Sequence, residues 1–437
     1  MSAILIRGGR LIDPAAGIDA TRDLLLEQGL VAAVGAPGAL DAAARERHAT
    51  ALDATGRVVA PGFIDIHVHL REPGQAYKET IASGTRAAAA GGFTTVCAMP
   101  NTTPVNDSPE ITRWMQAPER NAAIRVLPIA AATRGSMGEQ LTDYAALKAA
   151  GAVAISDDGK PILGDAIMRD ALALGARVGL PVIQHAENTD CTHGASMNLG
   201  ALSFRLGLRG MSVEAESSIV ERDIALLATM RDTPAHLHVA HLSTAAALDA
   251  VRRAKAEGLR VTCEVAPHHF ALTEQAIGDY DTHAKMNPPL RSEQDRLALI
   301  AGLADGTVDA IATDHAPHAP HEKEQEFERT PNGITGLETA LGLSLQTLHH
   351  EHNIPLARIV ELLTSGPARV LHLAQCGSLI KGRPADLVIF SPDETWTYAT
   401  SHSLSKNSPF LGWDLPGRVY ATIFGGWVLD PAKSAGA

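Results

Sequence analysis

The stretch FIDIHVHL, residues 63–70, decides the fold of this chain. It is an apolar run of strand length, and the alanine-rich helical pattern ETIASGTRAAAAGG (79–92) follows it. Seven more apolar runs alternate with helical patterns in the same way: FTTVCAMP (93–100), IRVLPIAA (124–131), AVAISDD (152–158), PVIQHAE (181–187), HLHVAHLS (236–243), RVTCEVAP (260–267) and DAIATDH (309–315). Eight strand–helix units in series predict an α/β chain with a (β/α)8 TIM-type barrel.

The helix boundaries are also visible in the sequence. Ser243-Thr244 is a plausible N-terminal cap before an alanine run, and Gly151 and Gly258 stand where helical patterns end. An open doubly wound sheet is the alternative fold. No glycine-rich phosphate loop follows the first strand, which disfavours that alternative.

Both ends of the chain have a different texture, with short strand-like runs between glycine and proline signals. At the C-terminal end these runs are ADLVIF (385–390), VYATIFGG (419–426) and WVLD (427–430). We therefore predict a small β-sandwich domain formed by both termini. Residues 1–57 and 371–437 would form this domain, and residues 58–370 would form the barrel.

Composition excludes several classes of protein. The 437 residues carry a net charge of −12 with no basic run, and only 4% are aromatic, which argues against nucleic acid or an anionic membrane as a partner. The four cysteines are far apart without a C-x-x-C pair, which excludes a disulfide framework and suits a reducing compartment. The N-terminal apolar run is too short for a signal peptide, and no run reaches the length of a membrane span. We expect a cytoplasmic protein.

Polar residues close most of the apolar runs. In a barrel of this type the active site lies at the carboxyl ends of the strands, so these side chains should converge on one mouth. They comprise His67, His69, Asn101, Asp157, Asp158, His185, His241, Asp314 and His315. Imidazoles and carboxylates suit Zn²⁺ or a similar divalent metal.

Strand alternation selects among these residues. His67 and His69 are two positions apart, so both point the same way and can hold one metal. Asp157 shares a face with Val153 and Ile155, so it points inward if those apolar residues do. The same reasoning selects His241 over His238.

The remaining histidines lack this support. His238, His268, His269, His315 and the cluster His349, His350 and His352 are expected to be structural or surface residues. The charged segment HEKEQEFER (321–329) reads equally as a solvated loop or as a lid, and a lid over residues 318–332 would close over the mouth.

Several motifs together resemble the dihydroorotases, in particular the longer, class I type within the amidohydrolase superfamily. These motifs are PGFIDIHVHLREPG (61–74), AMPNTTP (98–104), SDDGKP (156–161), QHAEN (184–188), AHLST (240–244), MNPPLR (286–291) and ATDHAPH (312–318). The H-x-H pair alone indicates only an amidohydrolase, whereas HLREPG with MPNT, MNPPLR and TDHAPH is far more specific. The resemblance covers essentially the whole chain, including GSLIKGRPADLVIF (377–390).

The resemblance implies one or two zinc ions and a set of site residues. His67, His69 and Asp314 would hold one metal, His185 and His241 the other, and Asp157 would bridge them. Substrate would be bound by His69, Arg71, Asn101, Asn287 and His318, and by the backbone near Asn332 and Gly333. Two positions depart from the pattern: many superfamily members have a carboxylated lysine where this chain has Asp157, and position 332 often holds an apolar residue.

The implied reaction is the reversible, metal-dependent cyclisation of N-carbamoyl-L-aspartate to (S)-dihydroorotate in pyrimidine (UMP) biosynthesis. Asp314 would be the catalytic proton acceptor and donor. Arg71 is the clue from the residues themselves, because a basic group beside a cationic metal site makes sense if an acidic substrate binds there.

Alternatives remain open at this stage. The chain could be another cyclic amidohydrolase of the allantoinase or dihydropyrimidinase type, or a non-catalytic dihydroorotase-like scaffold. The resemblance also leaves open a homodimer and a complex with aspartate transcarbamoylase, with which class I relatives sometimes assemble.

Overall fold

A computed structural model describes residues 3–429 of the chain. Eight parallel strands form a barrel, and the strands are neighbours in chain order. With labels in chain order, they are β6 (Phe63–Val68), β7 (Phe93–Ala98), β8 (Arg125–Ala130), β9 (Ala154–Ser156), β10 (Val182–Gln184), β13 (Leu237–Val239), β14 (Val261–Val265) and β15 (Ala310–Ile311). A parallel bridge between Val68 and His315 closes the ring, and the amide of His69 donates to the His315 carbonyl at 2.8 Å. The predicted (β/α)8 barrel is confirmed.

Helices surround the barrel strands. They are α2 (Ile81–Ala90), α3 (Pro109–Met115), α4 (Tyr144–Ala149), α5 (Asp165–Val178), α6 (Thr189–Thr192), α7 (Ala201–Leu206), α8 (Glu214–Ala228), α9 (Ala245–Ala256), α10 (Pro267–Ala271), α11 (Glu293–Asp305), α12 (Pro320–Lys323), α13 (Ala340–Leu343), α14 (Leu356–Leu363) and α15 (Ser365–Val370). A π-helix covers Ser344–Glu351, and 3-10 turns cover Pro14–Ala16, Pro118–Arg120, Arg134–Ser136, Glu274–Ile277 and Thr282–Ala284. Among residues 3–429, no helix combines the length and the apolar character needed to cross a membrane.

The helix boundaries follow the sequence signals. The Thr244 side chain caps α9 by accepting from the Ala247 amide at 3.3 Å. Gly151 and Gly258 follow α4 and α9 with φ values of 111° and 78°. Glycine adopts such positive φ values without the steric cost that a Cβ brings, which explains why the helices end there.

The barrel core has two layers. Inside the barrel, Ile129, Ala154 and Ile183 belong to a buried cluster that α15 covers at one end. Outside it, alternate strand residues such as Ile155 and Leu237 join a larger cluster with the surrounding helices. This division decides which strand residues face the mouth.

Both chain ends build one mixed eight-stranded sheet. Its strands are β1 (Ile4–Asp13), β2 (Ile18–Glu27), β3 (Leu30–Gly35), β4 (Thr50–Asp53), β5 (Val58–Pro61), β16 (Leu387–Ser391), β19 (Arg418–Phe424) and β20 (Trp427–Leu429). Leu24 of β2 shares a buried cluster with Leu387 and Ile423, so the N-terminal and C-terminal halves have a common core, as a small sandwich domain requires. A short helix, α1 (Asp41–Glu46), connects β3 to β4. Residues 1–2 and 430–437 lie outside the described residues. They belong to the predicted terminal domain, and residue 430 is also the last position of the predicted strand 427–430.

Two small two-stranded sheets complete the fold. The first pairs β11 (Met197–Asn198) with β12 (Gly210–Met211), and the second pairs β17 (Trp396–Thr397) with β18 (Asp414–Leu415). The loop that follows β17, residues 401–408, runs back to the mouth of the barrel. There the Asn407 side chain accepts from the His318 amide at 2.9 Å.

Candidate metal centre and substrate cavity

The carboxyl ends of the barrel strands bring together two groups of possible metal ligands. His67, His69 and Asp314 form one group, and His67, Asp158 and His241 form the other. Within each group, the imidazole nitrogens and carboxylate oxygens lie within 4.8 Å of one another. All five side chains are buried, so their lone pairs are shielded from solvent.

Asp158 occupies the position that the sequence led us to expect for Asp157. One Asp158 oxygen, Oδ1, lies 3.3 Å from His67 Nε2, and the other lies 3.6 Å from His69 Nε2. Asp157 instead accepts hydrogen bonds from the backbone amide of Thr133, at 3.0 Å, and from the Thr133 hydroxyl. The expectation that Asp157 points into the mouth is therefore wrong.

The correction has a simple cause in the strand. The expectation depended on Ile155 facing the barrel interior, but Ile155 packs outward against the helices, while Ala154 faces inward. Alternation from Ala154 reaches Asp158 rather than Asp157. Asp157 thus fastens the end of β9 to the neighbouring loop, and burial raises the pKa of its carboxyl.

His185 and His241 lie together at the opposite side of the group. His185 Nδ1 is 2.8 Å from His241 Nε2, and these two nitrogens lie 3.8 and 3.7 Å from Asp158 Oδ1. His241 reaches the mouth because its φ of 29° turns the chain after β13. His238 lies deeper, between Thr262 Oγ1 at 2.8 Å and Glu264 Oε2 at 3.1 Å. The structure thus brings His241, and not His238, to the ligand group.

Glu264 is a functional candidate that the sequence reasoning missed. Its Oε1 accepts from His67 Nδ1 at 2.6 Å, which assigns the proton to Nδ1 and leaves the lone pair of Nε2 facing the mouth. Burial raises the pKa of Glu264, but the charge of His67 and the hydrogen bonds from His238 and His67 outweigh this effect and lower the pKa to about 2. The available signal was a lone carboxylate inside the apolar run RVTCEVAP.

Asp65 performs a similar task one layer below. It accepts from the His67 amide at 3.0 Å and from the Thr313 hydroxyl at 2.5 Å, so it ties the first barrel strand to the last. Burial raises the pKa of this carboxyl to about 7. Asp314 follows Thr313 with a φ of 48°, and its Oδ1 lies 3.0 Å from His69 Nε2.

The donor set fits a divalent metal. His67 Nε2, His241 Nδ1 and Asp158 Oδ1 are buried atoms without a hydrogen-bond partner among residues 3–429. Unpaired buried polar atoms are costly unless something binds them. Although burial acts in the opposite direction, the carboxylates of Asp158 and Glu264 raise the pKa of His67 well above its usual value, so the local field favours a positive charge. A cation held by nitrogen and oxygen ligands would satisfy His67 Nε2 and Asp158 Oδ1, which lie 3.3 Å apart.

A cavity of about 290 Å³ opens directly onto this group. Its walls include every residue that we expected to bind substrate, together with most of the expected ligands. The lining residues are His69, Arg71, Asn101, Asp158, Gly159, His185, His241, Asn287, Asp314, Ala316, His318, Asn332 and Gly333.

Arg71 is the buried cation of this cavity. Its Nε donates to the Pro317 carbonyl at 3.1 Å, and the positive φ of 61° aims the side chain along the wall. Burial lowers the pKa of the guanidinium, against the opposing effect of Asp314 and Asp158. Among residues 3–429, no carboxylate lies within ion-pair distance of Arg71, and its Nη2 lies 3.4 Å from His318 Nε2. The charge of Arg71 is therefore available to an anionic ligand.

Asn101 and Asn287 connect the cavity to the ligand group. Asn101 Oδ1 accepts from His69 Nδ1 at 2.8 Å, and its Nδ2 donates to Asp158 Oδ2 at 3.3 Å. Asn287 Nδ2 donates at 2.7 Å to Glu187, which in turn lies 3.0 Å from His185 Nε2. Glu187 was not singled out from the sequence, although it stands within the QHAEN motif.

His318, Asn332 and Gly333 form the wall opposite the ligand group. His318 Nε2 donates to the Asn332 carbonyl at 2.8 Å. Gly333 has a φ of 143°, and a Cβ there would lie 2.7 Å from the Ala316 carbonyl oxygen. Only glycine fits this close backbone approach.

The fold and the site together define a class of protein. A (β/α)8 barrel with histidines and aspartates gathered at its mouth is the architecture of the metal-dependent amidohydrolases. The same fold occurs in an L-hydantoinase (dihydropyrimidinase) from Arthrobacter aurescens, with a TM-score of 0.85, 24% identity and coverage of 98% of this chain and 96% of that one. A dihydropyrimidinase from Brevibacillus agri NCHU1002 has a TM-score of 0.81, 23% identity and coverage of 98% and 94%.

Sequence comparison identifies the family more closely. A model of the dihydro-orotase-like family matches residues 56–272. Dihydroorotases from Solibacter usitatus and from Anaeromyxobacter sp. strain K are each 49% identical to this chain, covering 97% and 100% of both partners respectively. A dihydroorotase from Desulforapulum autotrophicum is 46% identical over 98% of both chains. The chain belongs to the dihydroorotase family.

Proposed function

We propose that this chain interconverts N-carbamoyl-L-aspartate and (S)-dihydroorotate, acting on a cyclic amide in the dihydroorotase reaction of pyrimidine biosynthesis. One observation supports this most directly: the buried Arg71 guanidinium, without a carboxylate partner in the described structure, shares a cavity with the ligand group. A substrate with both a ring amide and a carboxylate matches both features.

The metal proposed for this site is zinc, as one or two ions. His67, His69 and Asp314 would hold one, and His185 and His241 would hold the other. The structure supports Asp158, in place of Asp157, as the carboxylate between them. When bound, such an ion supplies Lewis acidity, which polarises an amide carbonyl and makes water more acidic.

Asp314 is the proposed acid–base group. Its carboxylate lines the cavity. Burial raises the pKa of this carboxyl, but the hydrogen bond from His69 and the charge of His67 outweigh burial and bring the pKa below the usual range. The ionised carboxylate takes a proton from the attacking water during hydrolysis and returns it to the leaving ring nitrogen. In ring closure the same group, now protonated, helps to convert the substrate carboxylate oxygen into departing water.

Substrate orientation is assigned to the opposite wall of the cavity. Arg71 offers a planar set of donors to the substrate carboxylate, with His318 beside it. Asn101, Asn287, His69 and the backbone at Asn332–Gly333 would bind the rest of the ring. This arrangement would hold the ring amide against the ligand group, which is the geometric requirement for an effectively unimolecular reaction.

The dihydropyrimidinase-type alternative would have no use for a buried arginine in the cavity, because its substrate lacks the carboxylate. It also typically uses a lysine carbamate. Lys160, the lysine nearest to Asp158 in the chain, is exposed, and its Nζ lies 3.9 Å from Met137 Sδ. We therefore expect activity that does not depend on added bicarbonate. A scaffold without catalysis is disfavoured because all the ligand-type side chains are present.

Further proposals concern organisation in the cell. The resemblance supports a cytoplasmic enzyme, a homodimer, and assembly with aspartate transcarbamoylase. The proposed domains are residues 1–57 with 371–437, and 58–370. Sedimentation velocity of the chain alone, and then with that enzyme, tests the two assemblies.

The decisive experiment joins metal analysis to an assay on the purified chain. We expect one or two equivalents of zinc, hydrolysis of dihydroorotate, and much slower hydrolysis of the uncharged dihydrouracil. Equal rates on the two substrates would favour a dihydropyrimidinase. A metal-loaded chain that hydrolyses neither would contradict the proposal and leave the allantoinase-type and scaffold hypotheses, which an assay on allantoin separates.

A further inference from the structure

Two buried lysines lie behind the cavity wall that carries His318 and Asn332. Lys285 is 5% exposed and Lys323 is 2% exposed. Among residues 3–429 neither ammonium group has a carboxylate within ion-pair distance. Burial lowers the pKa of Lys285 to about 8, and burial with the charge of Lys285 lowers the pKa of Lys323 to about 7. The ammonium forms therefore depend on other acceptors.

The acceptors are backbone carbonyls of the segment that precedes and forms the wall. Lys285 Nζ donates to the carbonyls of Phe327, Glu328 and Thr330 at 2.6, 3.0 and 2.7 Å. An ammonium group has three N–H donors, and here all three are used.

Lys323 completes the arrangement from the other side. Its Nζ donates to the carbonyls of Pro331 and Gly333 at 3.0 and 3.1 Å, and to that of Lys285 at 3.3 Å. The Lys285 carbonyl also accepts from the Gly333 amide at 3.0 Å. The two lysines thus hold five carbonyls between residues 327 and 333, including those on either side of Asn332.

The Asn332 carbonyl is the point where this arrangement meets the cavity, because it receives the His318 Nε2 hydrogen bond. We propose that Lys285 and Lys323 are positioning residues, which fix the 327–333 backbone so that His318, Asn332 and Gly333 stay in register with the acidic group of the substrate. This inference rests on the proposed function for its substrate. Hydrogen bonds from a charged donor are stronger than neutral ones, and five of the six lysine hydrogen bonds end on this short segment, which makes it part of the binding wall.

Two variants test the inference with a matched control. Lys285→Met and Lys323→Met each remove one ammonium group and keep a side chain of similar length. The control, Lys381→Met, changes an exposed lysine in the terminal domain. We expect KM for dihydroorotate to rise by about 10-fold or more in both buried variants, because hydrogen bonds to a charged group are lost. We expect kcat to change far less, and zinc content to stay at the wild-type value. The control should match the wild type in all three measurements.

Hydrogen exchange supplies a readout that does not need activity. Peptides covering residues 323–335 should exchange faster in both variants than in the wild type and the control. Folded variants with wild-type KM, or with unchanged exchange in this segment, would overturn the inference. If a variant fails to fold, hydrogen exchange of the wild type alone tests the inference. Backbone amides of residues 327–333 that exchange as fast as those of an unfolded chain would contradict a fixed wall. An inactive wild type would refute the proposed function, while the exchange measurements would still test the lysines.

Discussion

Neighbouring aspartates at the end of β9 have opposite surroundings. Asp158 faces four histidines, whereas Asp157 faces the amide and hydroxyl of Thr133. The isosteric substitutions Asp158→Asn and Asp157→Asn should therefore separate metal binding from stability.

We expect Asp158→Asn to lower zinc affinity by more than the roughly 10- to 100-fold that follows loss of a group merely hydrogen-bonded to a ligand. Asp157→Asn should keep its zinc and lose thermal stability instead. Metal analysis after dialysis, together with thermal unfolding, distinguishes the two. The reverse pattern would restore Asp157 as the bridging ligand.

Arg71 is predicted to discriminate for the acidic substrate. Arg71→Met should retain zinc but lose kcat/KM for dihydroorotate by roughly 30-fold to several thousand-fold, the range for removal of a buried charge-assisted partner. Arg71→Lys is the matched control, since it keeps the charge but not the planar donor set, and it should recover only part of the loss. Wild-type kcat/KM in the methionine variant would show that Arg71 does not bind the carboxylate.

Asp314 is predicted to transfer the proton in both directions. Hydrolysis needs its carboxylate ionised and ring closure needs it protonated, so hydrolysis should fall as pH decreases through the apparent pKa of the site and ring closure should fall as pH increases. That pKa belongs to the coupled site as a whole. Asp314→Asn should lose roughly 10²- to 10⁴-fold in both directions even when enough zinc is supplied to fill the site. Recovery of activity with excess zinc would show that Asp314 acts only as a metal ligand.

At the scale of elements, alternating patterns predicted the barrel but not every side-chain direction. Eight apolar runs sufficed for strand number and order. The direction of Asp158 depended on which face of a three-residue strand looks inward, and Val153 and Ile155 carry no such label in the sequence. Alternation selected His241 correctly, but Leu237 and Val239 pack outward, and a positive φ brings His241 to the mouth. Glu264 depends on contact with His67, which is 197 positions away. Neither backbone reversals at strand ends nor contacts between distant strands are visible in local periodicity.

The amino-terminal end of the barrel carries a pH-sensitive histidine of its own. His236 precedes β13, and its Nε2 forms a hydrogen bond with Thr262 Oγ1 at 2.8 Å. The centre of its ring lies 5.5 Å from the centre of the His372 ring. Burial, and then the charges of His238 and His372, lower its pKa to about 3. The folded state therefore disfavours the protonated ring.

The sign of the effect follows from the two states. As pH falls below about 6.5 the unfolded chain takes up the proton first, so stability should decline between about pH 6.5 and 3, by at most roughly 1.4 kcal/mol per pH unit. The His236→Gln substitution removes the group that takes up this proton. The unfolding free energy of the variant, measured by urea titration, should therefore decline less steeply with falling pH than that of the wild type. His193→Gln, at an exposed position, is the control. Identical slopes for His236→Gln and the wild type would contradict the assignment.

At the scale of the whole molecule, the C-terminal part of the chain contributes directly to the cavity wall. The segment that follows β17 passes over the barrel mouth, where Ser403 and the Leu404 amide donate to the buried Glu79. Asn407 Oδ1 accepts from the His318 amide, and its Nδ2 donates at 3.0 Å to the carbonyls of both Ala316 and Gly333. The C-terminal part of the chain is thus connected to the cavity wall through a side chain more than 70 positions beyond the residues that it contacts.

This connection leads to a prediction about Asn407→Ala. The substitution leaves the His318 amide and the Ala316 carbonyl without their partner, and each such loss costs roughly 1–3 kcal/mol. The Gly333 carbonyl loses one of two donors and keeps Lys323 Nζ. Because those groups belong to His318 and its neighbours rather than to the metal ligands, we expect a raised KM for dihydroorotate with zinc content unchanged. Asn353→Gly is the control, because Asn353 is exposed and its φ of 57° suits glycine, and it should match the wild type in both measurements. Loss of zinc together with substrate affinity in Asn407→Ala would show that the terminal segment supports the barrel mouth as a whole, and wild-type KM would show that the wall is held by the barrel alone.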